Sequence, residues 1–266
     1  MYIVMEKKVL DHGFVKLIDH MPRENLDSSI VQAARVSYGE GTTTSRGDEG
    51  LIRYLMRHWH NTPFEMVEFK FHIKMPMYIA RQHLRHRMAS VNEYSARYSI
   101  VNDDYYKPDT LRGQSKINHQ GSEGSIELPN EDAETFNKHF DNTYDLYKKL
   151  LEDGCCREQA RGALTQSTYT EFYWKIDLHN LMHYLRLRME PGAQKEIRDY
   201  ANTIYELVKP LVPITMKAFI DFRMNSIQLS GPEIEAIANG TPIKSPGERR
   251  EFEEKIKRLG LDKNIV

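Results

Sequence analysis

Between Arg85 and Arg97 the chain reads Arg-His-Arg-Met-Ala-Ser-Val-Asn-Glu-Tyr-Ser-Ala-Arg, three adjacent basic residues followed by hydroxyls, an amide, one acid and a further arginine. Folding does not ask for that arrangement. Guanidinium forks bind phosphate oxygens two at a time, and hydroxyls and amides add directional donors, so the composition suits an anionic ligand such as a nucleotide. Arg81 and Arg85 stand four apart and would share a helix face, so the four arginines from 81 to 97 meet a single acid, Glu93. One cation at a helix C-terminus needs no ligand, because it complements the macrodipole. Three in succession, about 100° apart on a helix, cannot converge on one partner and would fan around an extended ligand. The residues after Arg87 lack an apolar period and are predicted as a loop carrying Ser90, Asn92, Ser95 and Arg97. Composition alone takes the reading as far as a phosphorylated ligand.

Other residues could do chemistry with less insistence. His179 and His183 have a spacing that can put two imidazoles on one metal. There is no HExxH and no obvious third ligand, so hydrogen-bonding roles are favoured and no metal is assigned. Arg188 precedes Pro191-Gly192 and Arg161 follows Arg157; by themselves both read as ordinary helix-end or surface charges. Thr62 before Pro63 reads as a turn residue. Neither G-x-G-x-x-G nor G-x-x-x-x-G-K-[ST] occurs, which disfavours a Rossmann or P-loop architecture.

The elements that must position these residues follow from periodicity. Phe14 to Ile18 is predicted as a short strand and a helix starts near Leu26, with Ile30, Val31, Ala34 and Val36 facing inward. Tyr38 to Gly50 is rich in Gly, Thr and Ser and reads as a mobile loop. Leu51 to His60 looks helical. From Phe64 to Lys74, Val67, Phe69, Phe71 and Ile73 alternate with Glu68, Lys70, His72 and Lys74, the pattern of a half-buried strand. Pro76 suits the first turn of a helix running towards Arg87. Residues 103–130 are polar and turn-rich, a surface excursion or lid. Phe136, Phe140, Tyr144, Tyr147 and Leu151 mark an amphipathic helix that ends at Gly154. A second strand runs from Thr168 to Ile176, and Asp177 can cap the helix after it. Further helices are predicted over Ala193 to Leu211 and after Pro213. From about Ser230 the texture changes, with a capping box at Ser245-Pro246-Gly247-Glu248 and a thin stripe of Phe252, Ile256 and Leu259. The whole predicts an α+β fold, a mixed or antiparallel sheet packed with helices, with a catalytic domain over 1–228 and a helical extension over 229–266.

Across 266 residues the formal net charge is −1, so nothing global argues for nucleic-acid binding. The only two cysteines, Cys155 and Cys156, are adjacent, which points away from a disulfide framework and towards a reducing compartment. No stretch approaches a membrane span and no leader is visible. The expectation is a cytoplasmic protein without nucleic-acid or membrane partners.

Arg85-His86-Arg87, seven residues and then Ser95 resembles the RHR-x7-S signature of the flavin-dependent thymidylate synthases, and Ser90 and Arg97 fit its longer form. Ala33-Ala34-Arg35-Val36-Ser37, His60-Asn61-Thr62-Pro63-Phe64-Glu65, Tyr98-Ser99 and Leu185-Arg186-Leu187-Arg188 are similar to further family segments, in family order, over roughly residues 10 to 225. The resemblance implies methylation of dUMP to dTMP, with 5,10-methylenetetrahydrofolate as carbon donor and NADPH feeding electrons through FAD. It implies that Gln82, His83, Leu84, Arg85, Glu93, Tyr94, Ser95, Ala96, Arg97, Arg161 and Arg188 contact dUMP, with Arg188 the catalytic group on the uracil ring. It also implies that Ser37, Thr62, Arg85, His86, Arg87, Glu93, Asp177, Leu178, His179 and His183 contact FAD, in a homotetramer whose sites draw on several subunits. The chain departs from the family where Asp177-Leu178-His179 replaces Asn-x-Arg and where His183 replaces Asn.

Overall fold

The computed structural model describes residues 5–38, 47–116 and 120–261. Contacts divide the chain into two units, residues 1–220 and 221–266. The first is built on a five-stranded antiparallel sheet. Its strands are β1 (Met5–Val9), β2 (Gly13–Met21), β3 (Glu68–Pro76), β4 (Ser90–Glu93) and, after a separate hairpin, β7 (Tyr169–Asp177), in the order β1-β2-β3-β7-β4. The hairpin is β5 (Leu111–Gln114) with β6 (Ser122–Ile126).

The helices of this unit are α1 (Leu26–Arg35), α2 (Asp48–Arg57), α3 (Thr62–Glu65), α4 (Met77–His83), α5 (Asn130–Glu152), α6 (Arg157–Ala160), α7 (Leu178–Arg188), α8 (Lys195–Val208) and α9 (Pro213–Phe219). Strand alternation sets the core. Phe69, Phe71 and Ile73 of β3 face Ile176, Trp174 and Phe172 of β7 in register, and all six are buried. Leu181, Tyr184 and Leu185 of α7 and Ile197, Tyr200 and Ile204 of α8 cover that face. Tyr200 donates its hydroxyl to the Lys74 carbonyl at 2.6 Å. Gly13 makes room for that bond, since a Cβ there would lie 2.0 Å from the Tyr200 oxygen and 2.6 Å from the Val9 carbonyl. Asp27 caps α9 across the fold, accepting from the backbone N–H groups of Ile214 and Thr215 at 2.9 and 3.1 Å.

Several expectations change here. Val36 does not face inward: α1 ends at Arg35, and Val36, at its C-cap, is exposed. The helix after Pro76 ends at His83, so Arg85, His86 and Arg87 lie in the turn beyond it and not on its surface. The segment after Arg87 is no simple loop, because Ser90–Glu93 pairs with β7 as an edge strand. Every residue of β4 is exposed, so no buried alternation announces it. Within 103–130 the chain folds into the β5–β6 hairpin, tied down by Arg112, whose guanidinium meets the buried Glu196 carboxylate at 2.7 Å. The helix marked by Phe136 to Leu151 starts six residues earlier, at Asn130. Most of the predicted mobile loop, residues 39–46, lies outside the described residues.

In the second unit, α10 (Gly231–Asn239) and α11 (Pro246–Leu259) enclose Ala236, Ile243, Phe252 and Ile256. Ser245 does cap α11, accepting from the Glu248 N–H at 3.5 Å, but the reciprocal capping box belongs to Ser230 and Glu233. Among the described residues, no helix is long and apolar enough to cross a membrane.

Candidate active site

Two segments more than a hundred residues apart meet where α4 and α7 end. Arg188, in the last turn of α7, donates from Nε to His86 Nε2 at 3.1 Å and from an Nη to the Gln82 carbonyl at 3.2 Å. Arg85, His86, Arg87, Met88, Ile176, Asn180, His183, Leu187 and Arg188 line a cavity of about 410 Å³. Arg85 and Arg87 are exposed and form no ion pair or hydrogen bond with a described residue, so the cavity edge carries positive charge that the fold itself does not neutralise.

The support beneath is dry and aromatic. His83 is fully buried, its Nδ1 at 3.0 Å from the Tyr184 hydroxyl and its ring 4.3 Å from the Trp174 ring. Burial, with help from His86 and Arg188, pushes its pKa down to about 3, so it is neutral. Tyr184, also fully buried, sets its ring edge-on to His86 at 4.9 Å. His86 is held down to about 4 by burial, then Arg188, then His183. Asp177 caps α7 as the spacing predicts, accepting from the Asn180 N–H at 2.9 Å and the Asn180 side chain at 2.7 Å. Leu178, just after it, is buried and bonded through its N–H to the Val67 carbonyl. His179 is half-buried on the same first turn.

Beyond β4, Glu93 accepts from Thr170 Oγ1 at 2.7 Å, and Tyr94 donates its hydroxyl to the Ile100 carbonyl. Arg97 bends back to Ser95, with Nε 3.3 Å from Oγ. Ala96 is buried against Val101, Tyr147 and Ala160, which clamps this turn to α5 and α6. Arg161 sits in a short 3-10 turn after α6, exposed and paired with Glu158 at 2.7 Å. Cys155 packs beside the same cluster while Cys156 is exposed, and both are free.

A model of the family described as "Thymidylate synthase complementing protein" matches residues 16–214. The chain is 54% identical to a flavin-dependent thymidylate synthase of Dictyostelium discoideum over 266 residues, spanning 96% of this chain and 87% of the relative. It is 53% identical to a protein of the same name from Thermus thermophilus over 229 residues, 86% of this chain and 83% of that one. The chain belongs to the flavin-dependent thymidylate synthase family. A solved structure described as a UMP/dUMP methylase, PolB from Streptomyces cacaoi, bound with 5-Br dUMP, superposes with a TM-score of 0.71 at 32% identity, covering 82% of this chain and 98% of that one.

Against the flavin-dependent thymidylate synthase motifs, the fold gathers some expected residues and separates others. Arg85, His86, Arg87, His183 and Arg188 share one cavity. Ser37 and Thr62 line another, of about 960 Å³, with Tyr54, Trp59 and Asn61. Gln82 offers its carbonyl to Arg188 and also lines a third, with Arg112 and Gln194. His83 is sealed off, backbone included, so the expected contact with dUMP is not available to it in this arrangement. The sequence reading missed Asn180, which holds the Asp177 carboxylate and lines the cavity, and Tyr184. Both were readable in principle, because Asn180, Tyr184 and Arg188 recur at intervals of four on α7.

Among the described residues, no group of three or more His, Cys, Asp or Glu side chains is arranged to hold a metal.

Proposed function

We propose that this chain forms dTMP from dUMP, with FAD as bound cofactor, 5,10-methylenetetrahydrofolate as carbon donor and NADPH as reductant. The observation that carries the reading is the fixed Arg188 guanidinium, pinned by His86 and the Gln82 carbonyl at a cavity edge whose positive charge no described residue neutralises. Two of its donors are used on the protein, which leaves the rest of the fork for a ligand. C5 of uracil is a weak nucleophile, and activating it spreads negative charge towards N3 and the ring carbonyls. A guanidinium already oriented there stabilises that charge without reorganisation. Among the described residues, the Ser95 hydroxyl has only Arg97 as a partner and no base to activate it, so it serves as a donor to the nucleotide phosphate together with Arg97. The PolB structure, which holds a 5-bromo analogue of dUMP, supports a pyrimidine nucleotide as substrate.

The residues fit a flavin. Arg85, Arg87, Asn180 and His183 supply donors for its oxygen and nitrogen acceptors, and Thr62 and Ser37 supply hydroxyls on the second cavity. When bound, flavin supplies the two-electron reduction that leaves the transferred carbon as a methyl group. The two sets of flavin residues line different cavities of one chain, which supports sites completed between copies, as in the homotetramer that the resemblance implies. Free Cys155 and Cys156 suit a reducing cytoplasm.

The test is direct. Purified protein should show flavin absorbance and make dTMP from dUMP, methylenetetrahydrofolate and NADPH. Arg188→Ala should keep the absorbance and lose dTMP formation by about a hundred- to a thousandfold. A colourless protein that FAD does not reconstitute, or full turnover by Arg188→Ala, overturns the reading.

A further inference from the structure

Arg188 has a second partner whose chemistry is specific. Its Nε carries one hydrogen and can only donate, so the His86 Nε2 at 3.1 Å must present a lone pair. The proton of the ring then sits on Nδ1, which fixes both protonation state and tautomer. The His86 ring has little freedom to present any other atom. Its backbone N–H donates to the His83 carbonyl at 3.3 Å, and Tyr184 abuts the ring edge-on at 78°. Tyr184 is in turn tied by its hydroxyl to buried His83. His183 meets the His86 ring at 5.9 Å, and Arg85 and Arg87 flank it in sequence. Among the described residues, the titratable and charged groups at His86 are therefore His183, Tyr184 with its partner His83, and Arg188, besides its chain neighbours Arg85 and Arg87. No described acid is among them to favour an imidazolium.

We propose that His86 is the positioning residue for Arg188: its unprotonated Nε2 holds the guanidinium plane, while the Tyr184–His83 pair holds the imidazole. The inference rests on the thymidylate synthase reading for what Arg188 does, though not for how Arg188 is held. Protonating His86 would replace an acceptor with a donor facing a cation, and the contact would become repulsive. The depressed pKa of His86, with burial first and Arg188 second among its causes, agrees with that geometry.

The tautomer supplies the test. A glutamine amide reaches the place of Nε2 and an asparagine amide only that of Nδ1. In the holoenzyme His86→Gln should keep kcat within about fivefold of the unaltered chain. His86→Asn and His86→Leu should each lose about a hundredfold in kcat with KM for dUMP changed far less, the cost of a misplaced catalytic group. Dicarbonyl modification of Arg188, followed by peptide mass without dUMP, reads the contact apart from turnover. It should be slow in the unaltered chain and the Gln variant and several-fold faster in the Asn and Leu variants. Asn rescuing as well as Gln, Leu retaining full kcat, or Arg188 labelling alike in all four proteins overturns the inference. Absence of dTMP formation from the unaltered chain would instead strike the functional reading, and the labelling would still decide how Arg188 is held.

Discussion

His83 and Arg85 are two residues apart, and their surroundings could hardly differ more. His83 ends α4 inside a box of Trp174, Tyr184 and Phe172, without solvent and without charge. Arg85 and Arg87 begin the next turn, exposed and with no counter-ion among the described residues. His86, half-buried between them, touches both environments, with Tyr184 on one side and Arg188 on the other. The dry side fixes geometry, because aromatic rings in a packed core have few alternative positions. The wet side stores unpaired charge that a ligand can claim. Stability and ligand affinity should therefore separate cleanly on substitution, although the residues adjoin.

The largest effect on this contrast should come from the dry side. Trp174→Ala removes the ring beneath His83 and should cost about 3–5 kcal/mol of stability, read as a lowered urea midpoint at unchanged slope. A loss under about 1 kcal/mol would mean that the box is not what holds the site.

Acid should reach the same region next. His83 and His86 are neutral in the folded chain, with pKa values lowered from 6.5 to about 3 and about 4. Below about pH 6.5 the unfolded chain takes up protons that the folded chain refuses. Their contribution is thus complete above that pH and declines as pH falls towards about 4. The urea midpoint should drop between about pH 7 and about pH 4.5, with a shallower slope in His83→Phe. An identical slope in the two proteins would remove His83 from the linkage.

The smallest effect on stability belongs to the wet side. Arg87→Ala should change stability by no more than about 0.5 kcal/mol and yet weaken FAD binding by about tenfold, titrated by flavin fluorescence. The reverse outcome, a destabilised chain with unchanged FAD affinity, would break the division.

Parts of this arrangement could be read from the chain. The β3 alternation of Phe69, Phe71 and Ile73 against Lys70, His72 and Lys74 is visible because one sheet face is dry and the other wet. Asp177 before Leu178 marks a helix start for a local reason, the unsatisfied N–H groups of the first turn. The β4 strand was not legible, since an edge strand with every side chain exposed shows no period. The helix end at His83 was hidden too, as Leu84 to Met88 contains no glycine or proline to announce it. The Arg112–Glu196 clamp spans 84 residues and leaves no local trace.

The sequence by itself determined the chemical inventory: the basic run, Ser95, Glu93 and Arg97, the capping aspartate, and the family to which the motifs belong. Residue types and short spacings carry that information because local hydrogen bonding and side-chain period depend on near neighbours. Only the tertiary structure decided which inventory residues are usable. It buried His83, left Arg85 and Arg87 without a counter-ion among the described residues, and brought His86 within 3.1 Å of Arg188 across 102 positions of chain. Burial and charge pairing are set by what the fold packs alongside a residue, and no short spacing encodes that.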